Sequence, residues 1–450
     1  MPDEVAKALE HLLRKTLHPL IVCEDLSLGG TYQGVEPVGL LWSLRPVPGS
    51  KPGLRMRRAN VETPMTVTIS VYQGHLSEGF SEHTAVAAVL VERWYMAPGV
   101  RRIPVTEYNL TATLFLPPGP GPFPAVLDLW GGGGELVEYR ASLLASHGLA
   151  ALALDYLTNK LTITNGKFMK DDYFEDAYRF LEQHPQIIGS RIAMFGLSLG
   201  TTMTLRMVAY SKVMKLRCAV CYSGSHIQPL NGGIEEILKY YSLNEENART
   251  NEKQEMIWRD LILPIPEDPA LKVDMGRVQC PLLLVVGLDD QIWPSYVSAM
   301  DIKTMMEKAG NSHLLTVVTY PHTGHLIEPP YSPHTRSSLF RTFPSGKIHM
   351  VLWGGQTLGH SRAQEDSWKK TLAFLREHLW ILLLSALHCT SGCSSPNVYW
   401  LPFSTVKSDY FASFASSLYD FETQPALIFS KQSEVVKANA DGKGGKVGRV

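Results

Sequence analysis

Residues 191–210 read RIAMFGLSLGTTMTLRMVAY: an apolar run, a Gly-x-Ser-x-Gly turn, and a second run with helical spacing. The first run predicts a strand over 191–195, and the last predicts a helix over 201–210. Between them, Gly196 and Gly200 permit a turn so tight that a Cβ would strike neighbouring backbone, which thrusts the Ser198 hydroxyl out above the sheet. Such an elbow suits a nucleophile. The same five residues could also form a small-residue turn without chemistry, so the surrounding chain has to decide.

Upstream, 125–130 (AVLDLW) is an apolar strand running into four glycines at 131–134. Residues 136–147 have helical spacing, 149–155 (LAALALD) is strand-like, and 171–183 reads as a helix whose first-turn acids complement its dipole. Downstream, 216–222, 281–286 and 314–320 are further strands. Near-continuous apolar strands alternating with helices predict a parallel sheet covered on both faces, an α/β domain over 119–381. Before it, 27–118 carries short β-branched and aromatic runs (VTIS, AVAAVLVERWYM, LTATLFLPPG) broken by Gly and Pro, which read as an all-β domain ending at the Pro-Gly linker 117–124. Segment 1–26 is a short amphipathic stretch. From 382 the chain is Ser-rich and irregular.

Composition narrows the function. The 450 residues carry 42 Lys+Arg against 43 Asp+Glu and are 45% hydrophobic. A formal charge of −1 removes the case for a nucleic-acid partner, and the apolar content supports a packed core rather than disorder. The N-terminus lacks a secretory apolar region, so a cytoplasmic location is expected. The longest apolar run, 379–387 (LWILLLSAL), is about half of the roughly 20 residues that cross a bilayer, so no stable membrane insertion is expected. Six cysteines show no framework, and the lone C-x-x-C of Cys218 and Cys221 lies in an apolar run, where core thiols are expected rather than a metal or redox site.

A serine hydroxyl is a weak nucleophile until a base oriented by a carboxylate activates it. In α/β-hydrolases an acid and then a His follow the Ser, each on a loop after a later strand. Strand 281–286 is followed by Asp289 and Asp290, and strand 314–320 by His322 and His325. Asp290, deeper in its loop, is favoured over Asp289. His325, after a flexible Gly, is favoured over His322, which follows Pro321. His226, His313, His349 and His360 lack such a setting. The oxyanion donors expected are the Leu199 N–H, just after the nucleophile, and the backbone of Gly131 and Gly132.

Beyond the elbow, the segments GVEPVGLLWSLRP (34–46), APGVRRIPV (97–105), LFLPPGPGPFPAVLDLWG (114–131), EYRASLLASHGLAALALDY (138–156), VGLDDQIW (286–293) and YPHTGHLIEPPYSP (320–333) resemble the acyl-CoA thioesterase and bile acid-CoA:amino acid N-acyltransferase family. The resemblance implies an N-terminal β-sandwich, here lacking its first strands, ahead of an α/β-hydrolase domain, and it supports Asp290 and His325. Position 198 looks like the thioesterase branch, because the amino acid-transferring branch typically has Cys there. The resemblance therefore implies hydrolysis of a fatty acyl-CoA, with long chains expected, through an acyl-Ser intermediate. Transfer to glycine or taurine and a non-catalytic lipid-binding variant are the alternatives. No cofactor is implied, a monomer is expected, and peroxisomal or mitochondrial residence is the alternative location. Arg101 and Arg102 are the cations expected to meet the coenzyme A phosphates.

Overall fold

The computed structural model describes residues 32–36, 38–47, 49–73, 82–133, 135–157, 170–342, 345–380 and 427–429. Segment 1–26, Gly134, and all but three residues of the tail beyond 382 lie outside them. Of the apolar run 379–387, only Leu379 and Trp380 are described. No described helix is long and apolar enough to cross a membrane.

Among the described residues the N-terminal region starts with a short helix α1 (Gly39–Trp42), where the family segment GVEPVGLLW lies, followed by β1 (Met65–Val71) and β2 (Ala87–Trp94), which pair antiparallel. Next come β3 (Arg101–Val105), β4 (Ala112–Leu116), β5 (Phe123–Leu129), helix α2 (Tyr139–Ser146), β6 (Ala150–Leu154), helix α3 (Asp171–Gln183), β7 (Ile187–Leu197), helix α4 (Leu199–Tyr210) and β8 (Cys218–Tyr222). Helix α5 (Ile234–Leu243) leads to two short strands, β9 (Arg249–Thr250) and β10 (Met256–Ile257). After them stand β11 (Leu282–Gly287), helix α6 (Ser295–Ala309), β12 (Leu315–Tyr320), β13 (Ser337–Arg341), β14 (Ile348–Leu352), helix α7 (Thr357–Leu379) and β15 (Leu427–Phe429).

Eight strands form the main sheet in the order β12-β11-β8-β7-β5-β6-β4-β3. Only the β3–β4 and β4–β6 pairs are antiparallel; the others are parallel. This is the largely parallel α/β sheet that the apolar strands predict, and it matches the α/β-hydrolase domain that the resemblance implies. Its two faces are read directly from alternation along β5 and β7. Leu127, Leu129, Ile192 and Met194 pack in one core with Phe174, Tyr178 and Met203 of α3 and α4. Val126, Ala193 and Phe195 pack in the other with Leu143 and Leu144 of α2 and Trp368 and Leu375 of α7. Residues 171–183 form a helix over those same positions, and the 201–210 helix starts two residues earlier, at Leu199.

Two features differ from the expectation. Strands β3 and β4 precede the Pro-Gly stretch yet belong to the main sheet, so that stretch is a turn within the sheet. The reason lies in ATLFL: every residue of β4 is buried, as an inner strand covered on both faces requires. The tail, read as irregular, supplies β15, which pairs antiparallel with β2 to make a three-stranded sheet β1-β2-β15. A third, four-stranded sheet β13-β14-β10-β9 combines the hairpin β13–β14 with the two short strands.

Candidate active site

Open α/β sheets place ligands outside the carboxyl ends of their parallel strands, and the residues of interest gather there. Strand β7 ends at Leu197 and α4 starts at Leu199, leaving Ser198 alone at φ 57° and ψ −122°. This conformation is sparsely populated for a residue with a side chain and is held by its surroundings. The Ser198 N–H donates to the Tyr222 carbonyl at 3.0 Å, and Thr201 Oγ1 donates to the carbonyls of Gly196 and Tyr222. The glycine requirement is steric, as the motif predicts. A Cβ on Gly196 would lie 2.4 Å from the Gly200 carbonyl oxygen, and one on Gly200 would lie 2.3 Å from that of Leu129.

Strand β11 delivers Asp289 and Asp290 with different surroundings. Asp290, 2% exposed, accepts from the Ile292 and Trp293 N–H groups at 2.9 and 3.0 Å and from the Ser295 hydroxyl at 2.7 Å. Its two oxygens also lie 3.1 and 3.0 Å from His325 Nδ1. A carboxylate so supplied with donors is fixed in place and orients the imidazole through Nδ1. Asp289 faces elsewhere: it accepts from the Gly355 N–H at 2.7 Å and the Gln291 amide at 2.6 Å.

His325 is 1% exposed, stacks on the Trp353 ring with centroids 5.7 Å apart, and donates its N–H to the Trp353 carbonyl at 2.8 Å. Trp353 follows β14, so the β13–β14 hairpin buttresses the imidazole. His322 is exposed, and its carbonyl accepts from the Gln356 N–H. Buried His360 accepts the Gly324 N–H at 3.1 Å and donates Nε2–H to the Leu326 carbonyl at 2.7 Å, clamping both sides of His325. Burial, with neighbouring His334 adding to it, pushes the His360 pKa down to about 3.

Ser198 and His325 open onto one cleft of about 550 Å³, lined also by Gly131, Gly132, Gly133 and Leu199. A Cβ on Gly131 would lie 3.0 Å from Ser198 Cβ, a tight contact that shows how closely this loop lies against the hydroxyl. Leu199 opens α4, and its N–H has no intrahelical acceptor. Behind them, buried Arg140 pairs with Asp128 at 2.6 Å and donates to the carbonyls of Leu129 and Phe195 at 2.9 and 3.2 Å, joining the ends of β5 and β7. Its guanidinium lies between the Trp130 and Phe195 rings, 4.9 and 3.9 Å from their centroids. Burial raises the Asp128 pKa while Arg140 opposes it.

One contact is absent from the sequence reading: Trp293 Nε1 donates to Ser198 Oγ at 3.1 Å. VGLDDQIW offers the signal, since the indole and the acid share one loop. Arg101 and Arg102 are not in the cleft. Strand β3 runs parallel to the main strands, so its first residues lie at their amino ends, opposite the site. Arg101 donates to Gln186, just before β7, while the Arg102 side chain is engaged at 3.0 and 2.7 Å by Glu138, which also accepts from the Thr113 hydroxyl of β4. Cys218 and Cys221 are buried on β8, and burial pushes both thiols up, away from reactivity. Among the described residues no His, Cys, Asp and Glu cluster could hold a metal ion.

The arrangement unites a hydroxyl on a strained elbow, a carboxylate-held imidazole and a glycine loop beside a helix N-terminus around one opening, a set suited to acyl transfer. Solved structures matched at low similarity include an acylaminoacyl peptidase of Pyrococcus horikoshii (14% identity, TM-score 0.41, covering 65% of this chain and 48% of that one). An esterase of Thermogutta terrifontis also matches (16%, 0.39, 62% and 92%). Curated relatives include the peroxisomal succinyl-coenzyme A thioesterase of Mus musculus, 35% identical over 380 residues, covering 82% of this chain and 84% of the relative. Acyl-coenzyme A thioesterase 1 of Homo sapiens is 35% identical (78% and 82%), and the human mitochondrial acyl-coenzyme A thioesterase 2 is 34% identical (78% and 71%). The acyl-CoA thioester hydrolase/BAAT N-terminal region model matches residues 20–107, and the BAAT/acyl-CoA thioester hydrolase C-terminal model matches 169–380. The chain therefore belongs to the BAAT/acyl-CoA thioester hydrolase family.

Proposed function

We propose that this protein is a serine-dependent acyl-CoA thioester hydrolase. The observation that carries the reading is the Asp290-held His325 opening onto the same cleft as Ser198 at its strained elbow, in a chain of this family. In this mechanism Ser198 Oγ attacks the thioester carbonyl as His325 takes its proton, and the N–H groups of Leu199 and the Gly131–Gly132 loop receive the developing oxyanion. The tetrahedral species expels the coenzyme A thiolate, which takes the proton back from His325. Water, deprotonated by the same imidazole, then attacks the acyl-Ser ester, and the carboxylate product leaves with Ser198 reprotonated. Asp290 holds the ring and offsets the charge it gains in each half-reaction.

The cleft wall of Leu238, Tyr241, Leu261, Ile292 and Trp258 is apolar and favours a long acyl chain. A Ser oxyester is less reactive toward amines than a Cys thioester, which favours water as acceptor. The test is thiol release from a long-chain acyl-CoA, with and without glycine or taurine. Release without amine is expected, and Ser198→Ala should lower kcat by about 10³-fold or more. Release that persists in Ser198→Ala would sink the mechanism, and amide product would transfer the chain to the conjugating class.

A further inference from the structure

The cleft lining is chemically mixed. Besides its apolar residues, two segments distant in sequence come together there: residues 51–57 and the β13–β14 hairpin, tied by the Leu339 N–H donating to the Gly53 carbonyl at 3.2 Å. They bring Lys51, Arg55, Arg57, Arg341 and Lys347 to the cleft lining, against the acids Glu135 and Glu245. Arg55 is neutralised by Glu328 beneath it. Lys51, Arg341 and Lys347 are exposed, and none makes an ion pair among the described residues. In a chain whose formal charge is −1, this is a local excess of cations at the opening that leads to Ser198. Unpaired cations beside a low-dielectric wall focus the field and attract an anion there.

We propose that Lys51, Arg341 and Lys347, with Arg57 beside them, form a binding site for the phosphorylated nucleotide end of coenzyme A. This rests on the thioester reading above. Coenzyme A carries a diphosphate and a 3′-phosphate on one end and its thiol on the other, and one cleft is lined both by these cations and by Ser198, His325 and the apolar residues. Arg341 suits a bidentate phosphate contact, whereas Lys51 and Lys347 act as point charges on flexible stems. The cations stand on the strand-loop rim and not on β3, so the phosphates are met at the carboxyl ends of the main strands, on the same side as Ser198.

The experiment compares an acyl-CoA with the same acyl group on pantetheine, which lacks every phosphate, in the unmodified protein and in the triple variant Lys51→Ala/Arg341→Ala/Lys347→Ala. All three positions are solvent-exposed. The unmodified protein should prefer the acyl-CoA in kcat/KM, and the variant should lose about tenfold of that preference, mainly through KM, with the preference also falling as salt rises. A preference unchanged in the variant overturns the proposal. Equilibrium binding of 3′-phospho-ADP, ADP and inorganic phosphate is measured alongside. Binding should weaken in that order and weaken further in the variant; equal binding of all three, or 3′-phospho-ADP binding untouched by the substitutions, overturns the nucleotide assignment. If neither thioester is hydrolysed, the thioester reading fails, and the 3′-phospho-ADP measurement still decides the site.

Discussion

Two adjacent carboxylates, Asp289 and Asp290, are distinguished by their donors. Asp290 gathers two backbone N–H groups, the Ser295 hydroxyl and His325, while Asp289 ties the 289–291 turn to Gly355. Asp290→Asn keeps the shape but offers an amide to the imidazole, which favours the wrong tautomer. We expect kcat to fall by about 10³ to 10⁴-fold with little change in KM. Asp289→Asn should instead weaken the fold by about 1–3 kcal/mol, read by denaturant unfolding, and keep kcat within about tenfold. A large kcat loss for Asp289→Asn with full activity in Asp290→Asn would reverse the assignment. The Ser, Asp and His positions are legible in sequence because each follows a recognisable strand. The Trp293 indole on Ser198 is not, since that contact depends on how the 290–293 loop folds back. A basic pair such as Arg101 and Arg102 carries no sign of which end of a strand it occupies, and neither lines the cleft.

At the scale of elements, the long apolar strands and amphipathic helices are legible, since burial on both faces writes itself into composition. The β13–β14 hairpin is harder to see in sequence, although SSLFR and IHMVL flank a Pro-Ser-Gly turn signal, because its strands are short and half exposed and their alternation is weak. Yet this hairpin buttresses His325 through Trp353 and carries Arg341. The junction of β5 and β7 is held by Arg140, whose partner Asp128 would be stranded in the core by Arg140→Met. Breaking a buried pair from one side costs about 3–5 kcal/mol, whereas replacing both partners by apolar groups is often near neutral. Chemical denaturation should therefore find Arg140→Met strongly destabilised and Asp128→Leu/Arg140→Met substantially recovered. A double variant no more stable than the single one would show that the carbonyl contacts to Leu129 and Phe195, rather than charge pairing, hold this junction.

For the whole molecule, the neutral burial of His360 couples global stability to pH. Its Nδ1 already accepts the Gly324 N–H, so a second ring proton would face a donor inside the core. The folded pKa is about 3, against about 6.5 in an unfolded chain. Below about 6.5 the unfolded state takes up a proton that the folded state refuses until pH nears 3. The contribution is therefore complete above that window and is lost as pH falls through it. At pH 5 the loss from this one ring is on the order of 2 kcal/mol. Unfolding free energies at pH 7.5 and pH 5 should differ by that much more in the unmodified protein than in His360→Gln, whose side chain does not titrate. His360→Gln is itself expected to be less stable at pH 7.5, because it reproduces the two backbone hydrogen bonds imperfectly, so the informative quantity is the slope with pH. Identical slopes in the two proteins would mean that His360 takes up its proton in the folded state as readily as in the unfolded one, and that the clamp around His325 opens at mildly acidic pH.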